Sequence, residues 1–210
     1  MQRPNHPGFL LVLEGIDGAG KSTLARQIAG QCDALGLASV ISREPTDGPH
    51  GTALRRSAKT GRLGLDEELD LFLKDRAEHV ETLIRPALAR GEIVILDRYY
   101  FSTAAYQGAR GGDPAEIIAR NERFAPAPDL VLLLDIDPLG GTGRIRQRGD
   151  VPDDFEAESY LAKVRAIFLA LSQPCVHRVD AARSADDVFR ECAVLVSDAL
   201  ADAGLLSRVT

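Results

Sequence analysis

A chain of 210 residues, 45% hydrophobic and 27% charged, is long enough for one α/β domain and short for two. Its formal net charge is −6 and no run of Lys or Arg stands out, which argues against nucleic-acid and membrane-surface partners. The three cysteines, Cys32, Cys175 and Cys192, lack metal-ligand spacing and read as free thiols of a reducing compartment. Met1 to Gly8 is polar and proline-containing, unlike a signal peptide, and no apolar run approaches the roughly 20 residues of a membrane span, so a cytoplasmic location is expected.

The first element is a buried-strand run, with a strand expected over Leu10–Leu13. Directly after it, Gly15-Ile16-Asp17-Gly18-Ala19-Gly20-Lys21-Ser22 is a full match to G-x-x-x-x-G-K-[ST]. In such a loop the backbone N–H groups converge on a polyphosphate, the lysine neutralises it, and the Ser hydroxyl can ligate Mg²⁺. Lys21 to Leu35 reads as the helix that opens at this loop, as an anion site requires. The chain is therefore expected to bind a nucleoside triphosphate.

Further strands are expected at Ser39–Ser42, Ile93–Leu96, Leu130–Ile136 and Val176–Val179, all but the first nearly continuous apolar runs suited to a sheet covered on both faces. Helix starts are signalled at Asp66, at Asp113-Pro114-Ala115-Glu116, at Asp137-Pro138 and at Ser184. Leu161, Val164, Phe168 and Leu171 recur at helical spacing, as do Val188, Cys192, Leu195 and Ala199, giving each helix one buried face. Alternating strands and helices point to a single parallel-sheet domain spanning 1–210. Two stretches break the pattern, 43–64 and 149–154. Both follow elements in positions where loops cover a site at the carboxyl ends of strands, and both read as candidate lids.

A phosphate-binding loop does not by itself separate kinases from GTPases, motors or nucleotide-dependent binding modules. Asp97 and Arg98 follow the strand Ile93–Leu96, where a carboxylate can hold the Mg²⁺ shell and an arginine a second phosphate group. No guanine-specifying Asn-Lys-x-Asp is present, which weakens the switch reading.

From these residues outward the chain resembles thymidylate kinase over most of its length. The matching stretches are Glu14 to Thr23, Arg43-Glu44-Pro45, Leu71-Phe72 with Arg76, Asp97-Arg98-Tyr99 through Ser102 to Gly108, Leu134-Asp135, Arg144 to Gly149, and Phe155-Glu156. The 45–48 and 75–79 stretches look more like the archaeal-type branch than the enterobacterial one.

The resemblance implies a P-loop NTPase three-layer α/β fold, a five-stranded parallel sheet flanked by helices, with a short lid at about 144–156. It also implies ATP-dependent phosphorylation of dTMP to dTDP with Mg²⁺, and a homodimer, with the apolar face of 71–88 as one candidate for its interface. ATP would lie on Gly15, Asp17, Gly18, Ala19, Gly20, Lys21, Ser22 and Thr23, with Arg144 nearby and Mg²⁺ at Ser22 and Asp97. Lys21, Asp97 and Arg98 would act on the transferring group. For dTMP, Arg43 and Arg98 would take the phosphate, Asp17 the 3′-hydroxyl, Phe72 and Arg76 the base, and Tyr106 the sugar. Thr103 and Gln107 would approach the base edge, and Arg55 would add a phosphate contact or stand in solvent.

The chain departs from the family in its clamp. One branch carries an arginine inside the loop where this chain has Gly18. The other carries a basic residue before the aromatic-Glu pair, where this chain has Asp153-Asp154. Arg148 or Arg146 is expected to supply the missing charge on lid closure. Contacts to adenine near 180–183, and other nucleoside or nucleotide acceptors than dTMP, are left open by the sequence.

Overall fold

The computed structural model describes residues 7–146 and 154–207. Five strands run parallel: β1 (Phe9–Glu14), β2 (Ser39–Arg43), β3 (Ile93–Asp97), β4 (Leu130–Asp135) and β5 (Val176–Asp180), in the order β2-β3-β1-β4-β5. Each expected strand is present, displaced by at most one residue at an end. β1 and β4 are buried throughout, and β3 up to its last residue, because helices cover both faces of the sheet. From β1 the chain first fills the side of β3 and β2, then crosses to β4 and β5. The loop after β1 therefore sits where the winding reverses, the usual place for a ligand in an open α/β sheet. In register, Leu13 and Arg43 both stand beside Asp97, so the polar strand ends of β1, β2 and β3 meet along one edge.

The helices are α1 (Lys21–Ala34), α2 (Pro49–Thr60), α3 (Leu65–His79), α4 (Arg85–Ala89), α5 (Tyr100–Gly108), α6 (Pro114–Glu122), α7 (Pro138–Arg146), α8 (Asp154–Leu169) and α9 (Ala185–Asp202). Asp113 and Ser184 cap α6 and α9 through their side chains, as expected. At α3 the start differs. Gly64 is the N-cap without a side-chain bond, and Asp66, Glu67 and Glu68 lie inside the first turn, where negative charge suits the helix dipole. Of these, Glu68 turns inward and is buried.

The lid reading of 43–64 is corrected in part. Most of its second half is α2, anchored by buried Gly51, Leu54 and Ser57. Pro49 opens this helix and Gly61 ends it, so the Gly and Pro that suggested a loop mark helix ends instead. Between α3 and α4 a π turn at Val80–Ile84 was not anticipated. Pro86 lacks an N–H and crowds the carbonyl four residues back, and the wider turn before it relieves that conflict. Of the apolar residues of 71–88, Val80, Ile84, Ala87 and Leu88 lie inside the chain's own core and Leu83 packs against it, whereas Leu71, Phe72 and Leu73 stand outside it. In α9 the buried face is Val188, Cys192, Val196 and Leu200, with Leu195 and Ala199 flanking it.

Candidate active site

The turn after β1 depends on backbone that side chains disfavour. Gly15 has φ 137° and Gly18 φ 82°; a Cβ on the first would run into the Leu134 carbonyl, and on the second into the Gly141 carbonyl. Among the described residues no acceptor takes the amides of Gly18, Gly20, Lys21 or Ser22, which are the orphan donors of the loop and of the α1 start. Lys21 folds back over the loop and donates from Nζ to the carbonyls of Gly15 (3.0 Å) and Ile16 (2.9 Å), leaving one N–H for a ligand. Gly18, Gly20, Lys21 and Ser22 line a cavity of about 530 Å³ with Asp17, Asp97, Arg98 and Arg26.

Burial, with Arg98 nearby, pushes the Lys21 ammonium down to about 8, against the pull of Asp17, Asp97 and Glu14. A triphosphate on the loop raises it again, so binding takes up protons and affinity falls as pH rises through about 8. Calorimetric titration with ATP at pH 8 is expected to give a binding enthalpy that depends on the ionisation enthalpy of the buffer. A buffer-independent enthalpy there refutes this account of Lys21.

Ser22 Oγ donates to Asp97 Oδ2 at 2.5 Å, so a hydroxyl and a carboxylate meet on the floor of this cavity. Two hard oxygen donors beside a phosphate cradle fit Mg²⁺, which takes one or two protein ligands and fills its remaining positions with phosphate oxygens and water. No group of three or more His, Cys, Asp or Glu stands ready for a metal among the described residues, so a dedicated protein cage is not what this site offers.

Arg98, at the turn from β3 into α5, has φ 74°, a conformation costing an L residue on the order of 1–3 kcal/mol. That backbone aims the guanidinium back at the loop. Nη2 donates to Asp17 Oδ1 (2.6 Å) and Tyr106 Oη (3.2 Å), and Nη1 to Ser102 Oγ (3.0 Å) and the Gly15 carbonyl (3.3 Å). Tyr106 Oη also donates to Asp17 Oδ2 at 3.2 Å. Arg98 holds the Asp17 carboxyl below the usual carboxylate range, which makes Asp17 a poor general base and a good hydrogen-bond acceptor.

Behind Arg98 lies a residue whose role sequence reasoning missed. Glu14, fully buried at the end of β1, accepts from the amides of Tyr99 (2.9 Å) and Ser102 (3.0 Å) and from Ser102 Oγ (2.5 Å). It thereby ties the start of α5 to the loop. Burial pushes its carboxyl up to about 7, opposed by Ser102, Arg98 and the two amides. The available signal was an acid closing an otherwise apolar strand next to the glycine-rich turn.

A second cavity, about 230 Å³, opens on the other side of Asp17 and Arg98 and reaches Phe72, Arg76, Thr103, Tyr106 and Gln107. Phe72 stands on its wall and outside the hydrophobic core. Arg76 is 1% exposed rather than projecting freely. It donates to Glu44 Oε2 from Nε (2.8 Å) and Nη2 (2.6 Å), to Asn121 Oδ1 (2.5 Å) and to Thr103 Oγ1 (3.0 Å). Of its five N–H groups one, on Nη1, remains. Glu44 is shared with buried His79 (3.0 Å), whose other ring nitrogen meets Ser42 Oγ at 2.8 Å. Breaking such a buried pair from one side costs about 3–5 kcal/mol, so the network sets Arg76 firmly. Arg55 is on the wall of this cavity, whereas Arg43 is not and meets Arg55 only at Asp47 Oδ1, to which both donate at 2.9 Å. Arg43 and Asp47 are largely exposed, and a pair of this kind is worth about 0–1 kcal/mol, little resistance to an incoming phosphate.

A third cavity, about 220 Å³, flanks the loop on the side of β4 and α9, with Gly20, Gln27, Ala181 and Arg183 on its wall. It contains part of the 180–183 stretch. Residues 147–153, with Arg148 and Asp153, lie outside the described residues, as do the side chains of Arg144, Arg146, Asp154, Phe155 and Glu156, so the lid expectation falls there. No described helix is long and apolar enough to cross a membrane.

Five parallel strands with a glycine-rich turn at the reversal point, its amides free and its lysine over them, place the molecule among the P-loop NTPases. Comparison with known proteins narrows the class. The family model described as Thymidylate kinase matches residues 13–192. A thymidylate kinase of Xanthomonas campestris pv. campestris (strain B100) is 56% identical over 195 residues, 93% of this chain and 86% of that protein. Those of Xanthomonas euvesicatoria pv. vesicatoria (strain 85-10) and Xylella fastidiosa (strain M23) are 55% and 49% identical, over 93% and 92% of this chain and 86% and 88% of their own. The chain belongs to the thymidylate kinase family.

Proposed function

We propose that this protein transfers the γ-phosphoryl group of ATP to dTMP, giving dTDP and ADP. One observation carries the reading: Asp17 and Arg98 line both the loop cavity and the cavity of Phe72 and Gln107, so two nucleotides bound there meet end to end at these side chains. Phosphoryl transfer asks for that arrangement, with reacting groups in line and charge neutralised between them.

Lys21 and the free loop amides hold the ATP β and γ phosphates. Ser22 and Asp97 hold Mg²⁺, which when bound supplies further neutralisation of those oxygens. Arg98 spans donor and acceptor phosphates, where charge is spread in the transition state. Arg43 leaves Asp47 for the dTMP phosphate, with Arg55 beside it. Asp17 accepts the sugar 3′-hydroxyl, Phe72 stacks on the base, Arg76 gives its remaining N–H to a base carbonyl, and Tyr106 lies against the deoxyribose. Thr103 and Gln107 complete the base edge. Of the lid arginines, Arg146 or Arg148 acts on the transferring group and Arg144 on ATP. One domain over 1–210, a homodimer, and a reducing cytoplasmic setting accord with family membership and with the free Cys32, Cys175 and Cys192.

A nucleoside kinase acting on a hydroxyl needs a base at the acceptor, and among the described residues the only carboxylate shared by the two cavities is Asp17, whose proton affinity Arg98 lowers. Mg-ATP offered with dTMP, dUMP, dCMP, AMP or thymidine is expected to release ADP fastest with dTMP and not with thymidine. Asp17→Ala is expected to raise the dTMP KM about tenfold, the cost of one charged hydrogen bond, with the ATP KM little changed. An Asp17→Ala enzyme impaired for ATP alone would refute the placement of the acceptor.

A further inference from the structure

On the base side of the acceptor cavity, the orientation of one side chain is set by a second residue of the same lining, Glu68. Gln107 is 1% exposed. Its Nε2 donates to Glu68 Oε2 at 3.1 Å, and its Oε1 has no partner. A buried carbonyl left so is unfavourable, and the cavity that Gln107 lines is where a donor can enter.

Glu68 is itself buried and doubly held. Arg62 Nε donates to Oε1 at 3.2 Å, and Arg110 Nη1 donates to Oε2 while its Nη2 takes the Leu63 carbonyl at 3.0 Å. With two guanidinium groups on it, Glu68 presents acceptors only. A flipped Gln107 amide would set its carbonyl oxygen against a carboxylate oxygen with no hydrogen between them. One orientation survives.

Arg76 donates to Thr103, one helical turn before Gln107 on α5, and keeps one N–H uncommitted. This part of the cavity therefore offers a donor and, a turn away, an acceptor. A pyrimidine with a 4-carbonyl and an N3–H complements that pair. A 4-aminopyrimidine opposes it twice, amine to donor and ring lone pair to acceptor.

We propose that Glu68 is a positioning residue for substrate specificity: it locks the Gln107 amide so that the cavity admits 4-keto pyrimidine nucleotides and rejects 4-amino ones. The inference rests on the reading of this cavity as the base site. Its substance is the dependence of Gln107 on Glu68.

The test uses the full-length enzyme, dTMP and dCMP at saturating Mg-ATP, with dCMP measured both as substrate and as inhibitor of dTMP phosphorylation. In Glu68→Gln the new amide can donate to Gln107 Oε1 and let Gln107 turn its NH₂ toward the base. The dTMP-over-dCMP preference is expected to fall about tenfold or more, with the ATP KM unchanged. In Gln107→Leu the preference falls, and adding Glu68→Gln changes it no further. If Glu68→Gln lowers use of both nucleotides in parallel, or leaves the preference intact while Gln107→Leu lowers it, the inference is overturned and the base-site reading stands. If Gln107→Leu leaves the preference intact, the base-site reading fails. Should Glu68→Gln not fold, Arg110→Met loosens the same carboxylate from outside the cavity and is held to the same outcomes, with a fall of about threefold expected.

Discussion

Lys21→Ala is expected to lower kcat by about 10³-fold while changing dTMP affinity by less than about threefold. Lys21 donates to the Gly15 and Ile16 carbonyls and lines the loop cavity but not the Phe72 cavity. Its remaining N–H faces the space where phosphate charge develops, in a setting that water does not screen. A loss of about 4 kcal/mol is the size expected for one such donor acting in the transition state. The variant should fold, because burial already works against the ammonium and its removal relieves that cost. Single-turnover rates with bound ATP, beside calorimetric dTMP binding, separate the two effects. A dTMP Kd that weakens as far as the rate falls would place Lys21 in the wrong half of the site.

Arg98→Ala is expected to cost about 10³–10⁴ in kcat/KM for dTMP, and Arg98→Lys about 10². Lysine keeps the charge but not the fork: one ammonium cannot meet Asp17, Tyr106, Ser102 and the Gly15 carbonyl together. Loss of Arg98 also frees the Asp17 carboxylate to repel phosphate. Asp17→Asn added to Arg98→Ala should therefore recover part of the loss, a non-additivity that a double-mutant cycle reads directly. Because Arg98 lines both cavities, kinetic damage should spread over both nucleotides. Damage confined to the ATP KM would sink its role as the bridge.

Much of this molecule is local and was legible. Apolar runs bounded by turn residues located β1, β3 and β4, since a strand covered on both faces has few polar positions to spare, whereas the edge strands β2 and β5 are largely polar and only partly buried, so Val176–Val179 is not the apolar run expected. Asp113 and Ser184 announced helix starts because capping joins residues two or three apart. The G-x-x-x-x-G-K-S loop carried its chemistry in eight consecutive residues. Pro49 and Gly61 misled for the same local reason: they mark ends, and an end reads alike whether loop or helix follows.

Periodicity and spacing alone determined the strands, several helix starts, the phosphate grip and the Asp97-Arg98 step beside it. Only the tertiary structure decided which buried polar groups meet. Glu14 takes the start of α5 across 85 and 88 residues, Arg76 spends its donors on Glu44, Asn121 and Thr103 across 27 to 45, and Glu68 turns the Gln107 amide across 39. Hydrophobic pattern reports how deep a residue sits, whereas a hydrogen-bond partner depends on where whole elements cross. That crossing is set by the packing of the sheet and its helices, and it appears in no window of the chain.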